Sequence, residues 1–446
     1  MSIENISPID GRYVDKTKQL KDYFSEYALI KYRVFVEIKY FIALCNAGLP
    51  ELKGLSDKDI ESISMIYSTF NINDANKIKE IENTTNHDVK AVEYFIKRKM
   101  ESLGLSGVKE FVHFGLTSQD INNTAFPLMI RDSLESVLIP KLVKIVAALR
   151  KISFDWKDVP MLARTHGQPA SPTTLGKEIF VFVERLENQF TGLNNIDLKV
   201  KFGGATGNFN AHKVAYPVTD WKAFADNFTE KYLGLRRSQY TTQIEHYDSI
   251  AELCDALSRI NTILIDFSRD VWSYIAMDYF KLKVIKNEVG SSAMPHKVNP
   301  IDFENAEGNF GISNALFRFL AEKLPISRLQ RDLTDSTVIR NIGVPVAHQL
   351  IALQSLLKGI TKLEINQQKI DNDLNDNWAV VSEAIQTILR RINYPEPYEA
   401  LKNLTRGNRN IDKQILSEFI ESLNIDNNIK EQLKKITPFN YTGYGL

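Results

Sequence analysis

The sequence predicts an all-α protein with a central bundle of long helices. Residues 15–47 and 241–289 contain neither glycine nor proline, and their apolar residues recur every three to four positions. Helices of such length can bury an apolar stripe only against one another. The alternating patterns that are typical of strands are scarce. We therefore expect helices packed on helices, with few strands.

The amino-terminal part is expected to form a helical domain over residues 1–116. Its first long helix falls within residues 15–47, because Gly48 and Pro50 end the apolar pattern. Shorter helices are expected over residues 56–105, before the next cluster of glycines.

A central domain over residues 117–363 is expected to contain the bundle. The stretch 241–289 carries the longest apolar stripe, and at about 1.5 Å per residue its helical part would extend about 60 to 70 Å. The other long helices are expected within residues 122–155, 173–198 and 337–378, the last with irregularities at Gly343, Pro345 and Gly359. Residues 364–446 are expected to form a third, carboxy-terminal helical domain.

The composition disfavours several kinds of binding protein. The chain has 55 Lys and Arg residues against 55 Asp and Glu residues, so its net charge favours neither nucleic acid nor an anionic membrane. Its two cysteines, Cys45 and Cys254, lie far apart in sequence, which supports neither a disulfide framework nor a cysteine zinc site. The amino terminus does not resemble a secretory signal, and no stretch is apolar enough to span a membrane. We therefore expect a cytoplasmic protein.

Three common enzyme motifs are missing from the sequence. Neither the phosphate loop GxxxxGK[ST], nor GxGxxG, nor the zinc motif HExxH occurs. The glycines of residues 203–207 leave nucleotide binding open, but an ordinary loop is the preferred interpretation.

The most informative segment is GSSAMPHKVNP, residues 290–300. Its small and polar residues and two prolines indicate a loop, and it carries two hydroxyls, an imidazole, an ammonium and an amide. Loops on rigid scaffolds often hold functional groups. On composition alone, an ordinary connection between helices explains the segment equally well.

This segment resembles the signature loop of the fumarase/aspartase superfamily, GSSxMPxKxNP, and matches it at every fixed position. The segments TSQDINN, residues 117–123, and RTHGQPA, residues 164–170, fit the same superfamily. Two others, TTNHDVKAVEY at residues 84–94 and QRDLTDS at 330–336, resemble the bacterial adenylosuccinate lyase branch. The resemblance covers essentially the whole chain and implies a three-domain, all-α, fumarase/aspartase-like fold.

The resemblance implies a carbon–nitrogen lyase of purine biosynthesis. Such an enzyme eliminates fumarate from adenylosuccinate, giving AMP, and from succinylaminoimidazole carboxamide ribotide. The transition state places a second negative charge on a carboxylate and needs donors aimed at it, while the leaving nitrogen needs a proton. By resemblance, Ser291 is the general base and His166 the general acid. No metal or organic cofactor is expected.

The resemblance also assigns residues to substrate binding. Their cationic, hydroxyl, amide and imidazole groups suit carboxylate and phosphate. They are Arg12, Tyr13, Asn86, His87, Asp88, Thr117, Ser118, Gln243, Ser292, Lys297, Asn299, Asn305, Arg331, Ser336 and Arg340. Many also have a purely structural interpretation: Thr117 with Asp120 forms a T-x-x-D capping box, for example. Nucleotide substrates are the only partners expected apart from other copies of the chain.

The sequence departs from the family pattern at His246 and Tyr247, where a proline and a histidine are expected, and it ends at Leu446, a little early. Two alternatives stay open. One is another fumarate-releasing lyase of the argininosuccinate lyase, fumarase or carboxymuconate cycloisomerase type. The other is a non-catalytic, crystallin-like helical protein, which the presence of all four residues Ser291, His166, Lys297 and Asn299 disfavours. The resemblance further implies a homotetramer in which each active site draws on three subunits.

Overall fold

The computed structural model describes residues 4–285, 294, 297–407 and 411–446. Its helical architecture confirms the predicted all-α class. The α-helices are α1 Val14–Thr17, α2 Lys21–Phe24, α3 Glu26–Asn46, α4 Asp57–Ser68, α5 Ile72–Thr85, α6 Asp88–Ser102, α7 Ser118–Ser133, α8 Ile139–Asp155, α9 Leu175–Asn194, α10 Asn210–Ala215, α11 Trp221–Asn227, α12 Asp248–Ala276, α13 Ile301–Lys323, α14 Thr334–Ile339, α15 Gly343–Lys362, α16 Gln367–Asn375, α17 Ser382–Arg391, α18 Pro397–Gly407, α19 Lys413–Ser422 and α20 Asn427–Lys434.

The strands of the described residues are only two or three residues long. They are β1 Pro160–Met161, β2 Arg164–Thr165, β3 Gln168–Pro169, β4 Thr173–Thr174, β5 Lys199–Val200, β6 Arg236–Arg237, β7 Phe280–Leu282 and β8 Leu363–Ile365. The pairs β1–β4, β2–β3 and β7–β8 are antiparallel, and β5–β6 is parallel.

The long helices differ from their predicted bounds for local reasons. The backbone is extended at Ser25, whose hydroxyl accepts a hydrogen bond from the N–H of Ala28 at 3.1 Å, so α3 starts one residue later instead of near residue 15. Helix α12 has 29 residues, or about 43 Å, because the chain turns after Ala276 to form β7. Helix α15 begins at Gly343, as the predicted irregularity indicates, but it continues through Gly359 without interruption.

The chain divides into two compact units. The first comprises Met1–Leu142, Gln189–Thr262 and Asn309–Ala352. Buried polar side chains fix the register of its long helices: the amide of Asn261 on α12 donates to Ser313 at 3.1 Å and to Asn314 at 3.0 Å, both on α13. The side-chain amide of Gln349 on α15 donates to Oδ1 of Asn261 at 2.8 Å. Buried polar groups require such partners, so these helices pack in one register.

The second unit comprises Val143–Asn188, Ile263–Gly308 and Leu353–Leu446. Its long helices pack through aromatic rings: the centroids of Phe182 and Phe267 lie 5.3 Å apart, and those of Phe267 and Phe303 lie 6.5 Å apart. A Cβ on Gly359 would lie 2.9 Å from the ring of Phe303, so glycine permits this close approach. A separate apolar cluster, including Val381, packs the helices near the carboxy terminus.

None of the helices in the described ranges is both long and apolar enough to cross a membrane.

Candidate active site

A cleft of about 730 Å³ in the first unit brings together seven of the residues predicted to bind substrate. They are Asn86, His87, Asp88, Ser118, Arg331, Ser336 and Arg340. The cleft has the size of a site for a small organic molecule. Its lining comes from four segments that are distant in sequence, so the fold assembles it.

The turn between α5 and α6 places His87 at the cleft. Asn86 ends α5 in the left-handed conformation, with φ at 51°. His87 then caps α6, because its Nδ1 accepts a hydrogen bond from the backbone N–H of Lys90 at 3.2 Å. Since Nδ1 acts as the acceptor, this contact assigns the proton of the neutral ring to Nε2, which lies 3.5 Å from the Ser118 hydroxyl. The half-exposed imidazole therefore offers an N–H to a ligand.

Helix α7 begins with the predicted capping box. The backbone N–H of Thr117 donates to Oδ2 of Asp120 at 2.8 Å, which fixes the first turn and leaves Ser118 at the cleft. The amino-terminal end of a helix also favours anions, because its N–H groups and its dipole point toward them. The sequence therefore identified the local structure, and of the two residues predicted to bind substrate here, Ser118 lines the cleft and Thr117 does not.

The glycine-rich loop of residues 203–207 supports the same carboxylate. The backbone N–H groups of Gly203 and Gly204 donate to Oδ1 of Asp120 at 2.8 and 3.1 Å. The buried ammonium of Lys201 lies 2.8 Å from the same oxygen. These N–H groups are therefore occupied by a buried side chain, which agrees with the preferred interpretation of this segment as an ordinary loop.

Arg331 is held at the cleft by three side chains. Its Nη2 donates to the hydroxyl of Ser336 at 2.8 Å, its Nη1 to the amide oxygen of Gln243 at 3.4 Å, and its Nε to Asp335 at 3.4 Å. Gln243, another residue predicted to bind substrate, therefore contacts a lining residue of the cleft but does not itself line it. A guanidinium has five N–H bonds in one plane, so this arrangement leaves donors for a planar anion.

Asp88, a lining residue of the cleft, joins two arginines. Its Oδ2 accepts from Arg33 at 2.7 Å and from Arg340 at 2.5 Å. Burial alone would raise the pKa of Asp88, but the charge of Arg33, the backbone N–H of Val89 and the charge of Arg340 outweigh it and lower this pKa to about 2. Asp88 therefore stays ionised, and its carboxylate positions the guanidinium of Arg340 at the cleft.

The sequence analysis missed several residues of this cleft. Gln119 donates to the Ser336 hydroxyl at 3.3 Å, and Asn122 accepts from Nε of Arg33 at 2.9 Å. Both lie within the TSQDINN motif. Asn122 comes four residues after Ser118, so helical spacing could have indicated it, whereas Gln119 is adjacent to Ser118 and no such spacing indicates it. The remaining lining residues are Glu26, Lys79, Glu82, Leu333, Thr337 and Asn341. Of these, only Leu333 lies within a motif identified from the sequence, QRDLTDS at residues 330–336.

His166, the predicted general acid, lies in the second unit at the tip of the β2–β3 hairpin. His166 and Gly167 both have positive φ, 53° and 74°, as the two-residue turn of a type I′ hairpin requires. Arg164 anchors the hairpin through Asp373 at 3.3 Å. The imidazole is exposed, and no other described residue forms a hydrogen bond with it. The hairpin therefore presents a histidine that is free to meet a substrate.

The other predicted residues are spread over both units. Arg12 is exposed and Tyr13 half-buried immediately before α1. Asn305 on α13 accepts from the hydroxyl of Ser355 at 2.8 Å. The Lys297 side chain is exposed and that of Asn299 is half-buried. Ser291 and Ser292 lie outside the described residues.

Comparison with known proteins shows which family the chain belongs to. A family model described as lyase matches residues 11–311, and one described as adenylosuccinate lyase C-terminal matches residues 327–442. The adenylosuccinate lyase of Dictyostelium discoideum is 60% identical over 98% of this chain and 96% of its own. The adenylosuccinate lyase of Escherichia coli K12 is 49% identical over 100% of this chain and 98% of its own.

A solved fumarate lyase from Mesorhizobium sp. BNC1 shares the fold, with a TM-score of 0.77 at 18% identity over 96% of this chain and 95% of that one. The two family models and the full-length identities point to one family. The chain is a lyase and belongs to the adenylosuccinate lyase family of the fumarase/aspartase superfamily.

Proposed function

We propose that the chain cleaves adenylosuccinate to AMP and fumarate, and succinylaminoimidazole carboxamide ribotide to its free carboxamide and fumarate. The observation that carries this is the cleft of the first unit, in which His87 and Ser118 meet Arg331, Ser336 and Arg340. Two guanidiniums, two hydroxyls and an imidazole N–H suit a phosphate monoester, which both substrates carry.

In the proposed reaction, Ser291 removes a proton from the carbon next to a succinyl carboxylate. The electron pair of that C–H bond forms the double bond of fumarate as the carbon–nitrogen bond breaks, and His166 gives a proton to the leaving nitrogen. Lys297 and Asn299 bind the carboxylate on which negative charge develops. His166 is suited to this role, because its exposed hairpin position leaves the imidazole without a competing described partner.

Incubation of the purified protein with adenylosuccinate, with AMP and fumarate measured together, tests the proposed function. We expect the two products in equal amounts. Ser291→Ala and His166→Ala should abolish turnover while the substrate still binds, because both residues act on the transition state. His246→Ala is the matched control: its Nε2 contacts the carbonyl of Tyr240 at 2.8 Å, so turnover should be unchanged. Turnover above about a tenth of wild type in Ser291→Ala would remove Ser291 from the base role.

We further infer a homotetramer with active sites shared between subunits. Helix α13 exposes Ile312 and Phe319 on the face that carries Gly308 and Gly311. Nothing described lies within 4 Å of a Cβ built on either glycine. Exposed apolar residues beside small ones favour close packing against another helix. In the proposed tetramer, a second copy of the chain would supply that helix.

Mixing two inactive variants tests the shared site. His166→Ala and Ser291→Ala chains, unfolded and reassembled one to one, should recover about a quarter of the sites if the two residues come from different chains. Mixed tetramers verified by mass spectrometry that show only the parental background would contradict the shared site. Each variant reassembled alone gives that background.

Three domains, with boundaries near residues 116 and 363, remain our proposed division of the chain. The separate apolar cluster around Val381, Leu389, Leu416 and Leu433 supports the carboxy-terminal one. We also place the protein in the cytoplasm, where its two free cysteines would stay reduced.

A further inference from the structure

We propose that Tyr247, which does not line the cleft, positions Arg331 for substrate binding. This role rests on the proposed contact between Arg331 and the substrate phosphate. Tyr247 is one of the two positions at which the sequence departs from its family pattern, and no function described so far uses it.

The Tyr247 side chain is buried and fixed at both ends. Its hydroxyl donates to Oδ2 of Asp335 at 3.0 Å and accepts from the amide of Asn123 at 2.7 Å. Its backbone N–H donates to the carboxylate of Glu245, and its φ of 63° is one that residues with a side chain rarely adopt. The side-chain amide oxygen of Asn123, Oδ1, in turn accepts from the backbone N–H of Glu245 at 3.0 Å. Asn123 on α7 thus holds both the Tyr247 hydroxyl and the backbone at Glu245, two residues before Tyr247.

Asp335 transmits this arrangement to the cleft. Its carboxylate is 3% exposed, and its two oxygens have separate partners: Tyr247 on Oδ2 and Nε of Arg331 on Oδ1. Because the hydroxyl occupies Oδ2, Arg331 contacts the carboxylate through one nitrogen and not through a two-bond fork. The two terminal nitrogens of Arg331 contact Ser336 and Gln243 instead. They keep one further N–H each for a ligand.

Loss of the hydroxyl would change the orientation of the guanidinium. Oδ2 of Asp335 would be a buried carboxylate oxygen without its donor, which is costly unless another donor replaces it. Arg331 carries the nearest cation, and a two-bond fork with Asp335 would satisfy both oxygens. That fork would draw a terminal nitrogen of Arg331 away from Ser336 and from the ligand. Substrate binding would weaken, although no residue that touches the substrate has changed.

Steady-state kinetics of Tyr247→Phe tests this role. We expect the KM for adenylosuccinate to rise about tenfold with kcat changed less than about twofold, because the loss concerns binding and not the reacting atoms. The matched control is Tyr32→Phe. The Tyr32 hydroxyl donates to Asp132 at 2.7 Å, and Asp132 accepts from Nε of Arg131 at 2.9 Å and from its Nη2 at 2.8 Å, so another tyrosine, aspartate and arginine are linked at the far end of α7. Its KM should equal that of the wild type.

A double-mutant cycle separates positioning from a general structural effect. The single variant Arg331→Lys should raise KM. Adding Tyr247→Phe to it should raise KM no further, because the two residues act through one interaction. A wild-type KM in Tyr247→Phe, or effects that multiply in the double variant, would overturn the role of Tyr247. A wild-type KM in Arg331→Lys would instead overturn the substrate contact of Arg331, and the role of Tyr247 with it.

Asp335→Asn covers the case in which Tyr247→Phe does not fold. It keeps the shape of the side chain but removes the charge that holds Arg331, so we expect a similar rise in KM with little change in kcat. An Asp335→Asn protein with wild-type KM would also overturn the proposed positioning.

Discussion

Replacement of Asp88 by asparagine should destabilise the protein in a pH-dependent way. Asp88 is the carboxylate that Arg33 and Arg340 share, and the Arg33 side chain is 1% exposed. Its pKa is about 2 in the folded chain, against about 3.9 for an unperturbed aspartate. Between these two values the unfolded chain binds more protons than the folded chain, so the contribution of Asp88 to stability rises with pH.

The size of the effect follows from the two pKa values. The difference between about 3.9 and about 2 corresponds to about 2.6 kcal/mol, fully present above about pH 5. At pH 3 the same relation leaves about 1.3 kcal/mol, because the unfolded aspartate is then mostly protonated already. Asparagine cannot ionise, so Asp88→Asn should be less stable than wild type by about 2.6 kcal/mol at pH 7, and the difference should halve by pH 3.

Urea unfolding of both proteins between pH 7 and pH 3 measures this difference, at one fixed chain concentration because assembly affects apparent stability. Asp57→Asn is the control for the loss of one negative charge, since Asp57 is exposed in the first turn of α4. It should change stability by less than about 0.5 kcal/mol. A stability difference for Asp88→Asn that stays constant from pH 7 to pH 3 would refute the electrostatic origin.

Three further outcomes are expected. Asn261→Ala should lower the free energy of unfolding by about 2 to 4 kcal/mol in urea titrations, because Gln349 and Asn314 lose buried partners; an unchanged midpoint would contradict this. Gly115→Ala should lower the melting temperature, since its Cβ would lie 2.7 Å from the ring of His212 at a φ of 68°; wild-type melting would show that the ring can move. Turnover of adenylosuccinate should persist in a metal chelator, because Ser291 and His166 are proposed to supply both proton transfers; loss that a divalent ion restores would contradict this.

Local signals predicted local structure well. The T-x-x-D pattern identified the start of α7, and Gly48 the end of α3, because caps and stops depend on residues within one turn. Helix α13, Ile301–Lys323, was not predicted as a long helix, although Phe303, Phe310 and Phe317 repeat every seven residues on its buried face. Gly308 and Gly311 lower the helix propensity of the segment and obscured that pattern in the sequence. In the folded chain, packing of the buried face outweighs the low propensity.

The partners within the cleft could not be predicted from the sequence. Arg340 and Asp88 are 252 residues apart, so no local sequence pattern indicates that they pair. A motif can name both residues as substrate contacts, but only the fold shows that one carboxylate serves Arg340 and the buried Arg33 together. Tyr247 illustrates the same limit: its sequence neighbours do not indicate that its hydroxyl meets Asp335, 88 residues away.

The cations and carboxylates that line the cleft balance each other, so the cleft adds no excess charge to the composition of the chain. Its lining holds three cations, Lys79, Arg331 and Arg340, and three carboxylates, Glu26, Glu82 and Asp88. Carboxylates within 3.5 Å hold each cation, so the donors are oriented before a ligand arrives. The field of such a cleft is weak at long range, and its donors need little further ordering on binding. The proposed contact with a doubly charged phosphate would therefore depend on the geometry of these donors more than on the overall charge of the chain.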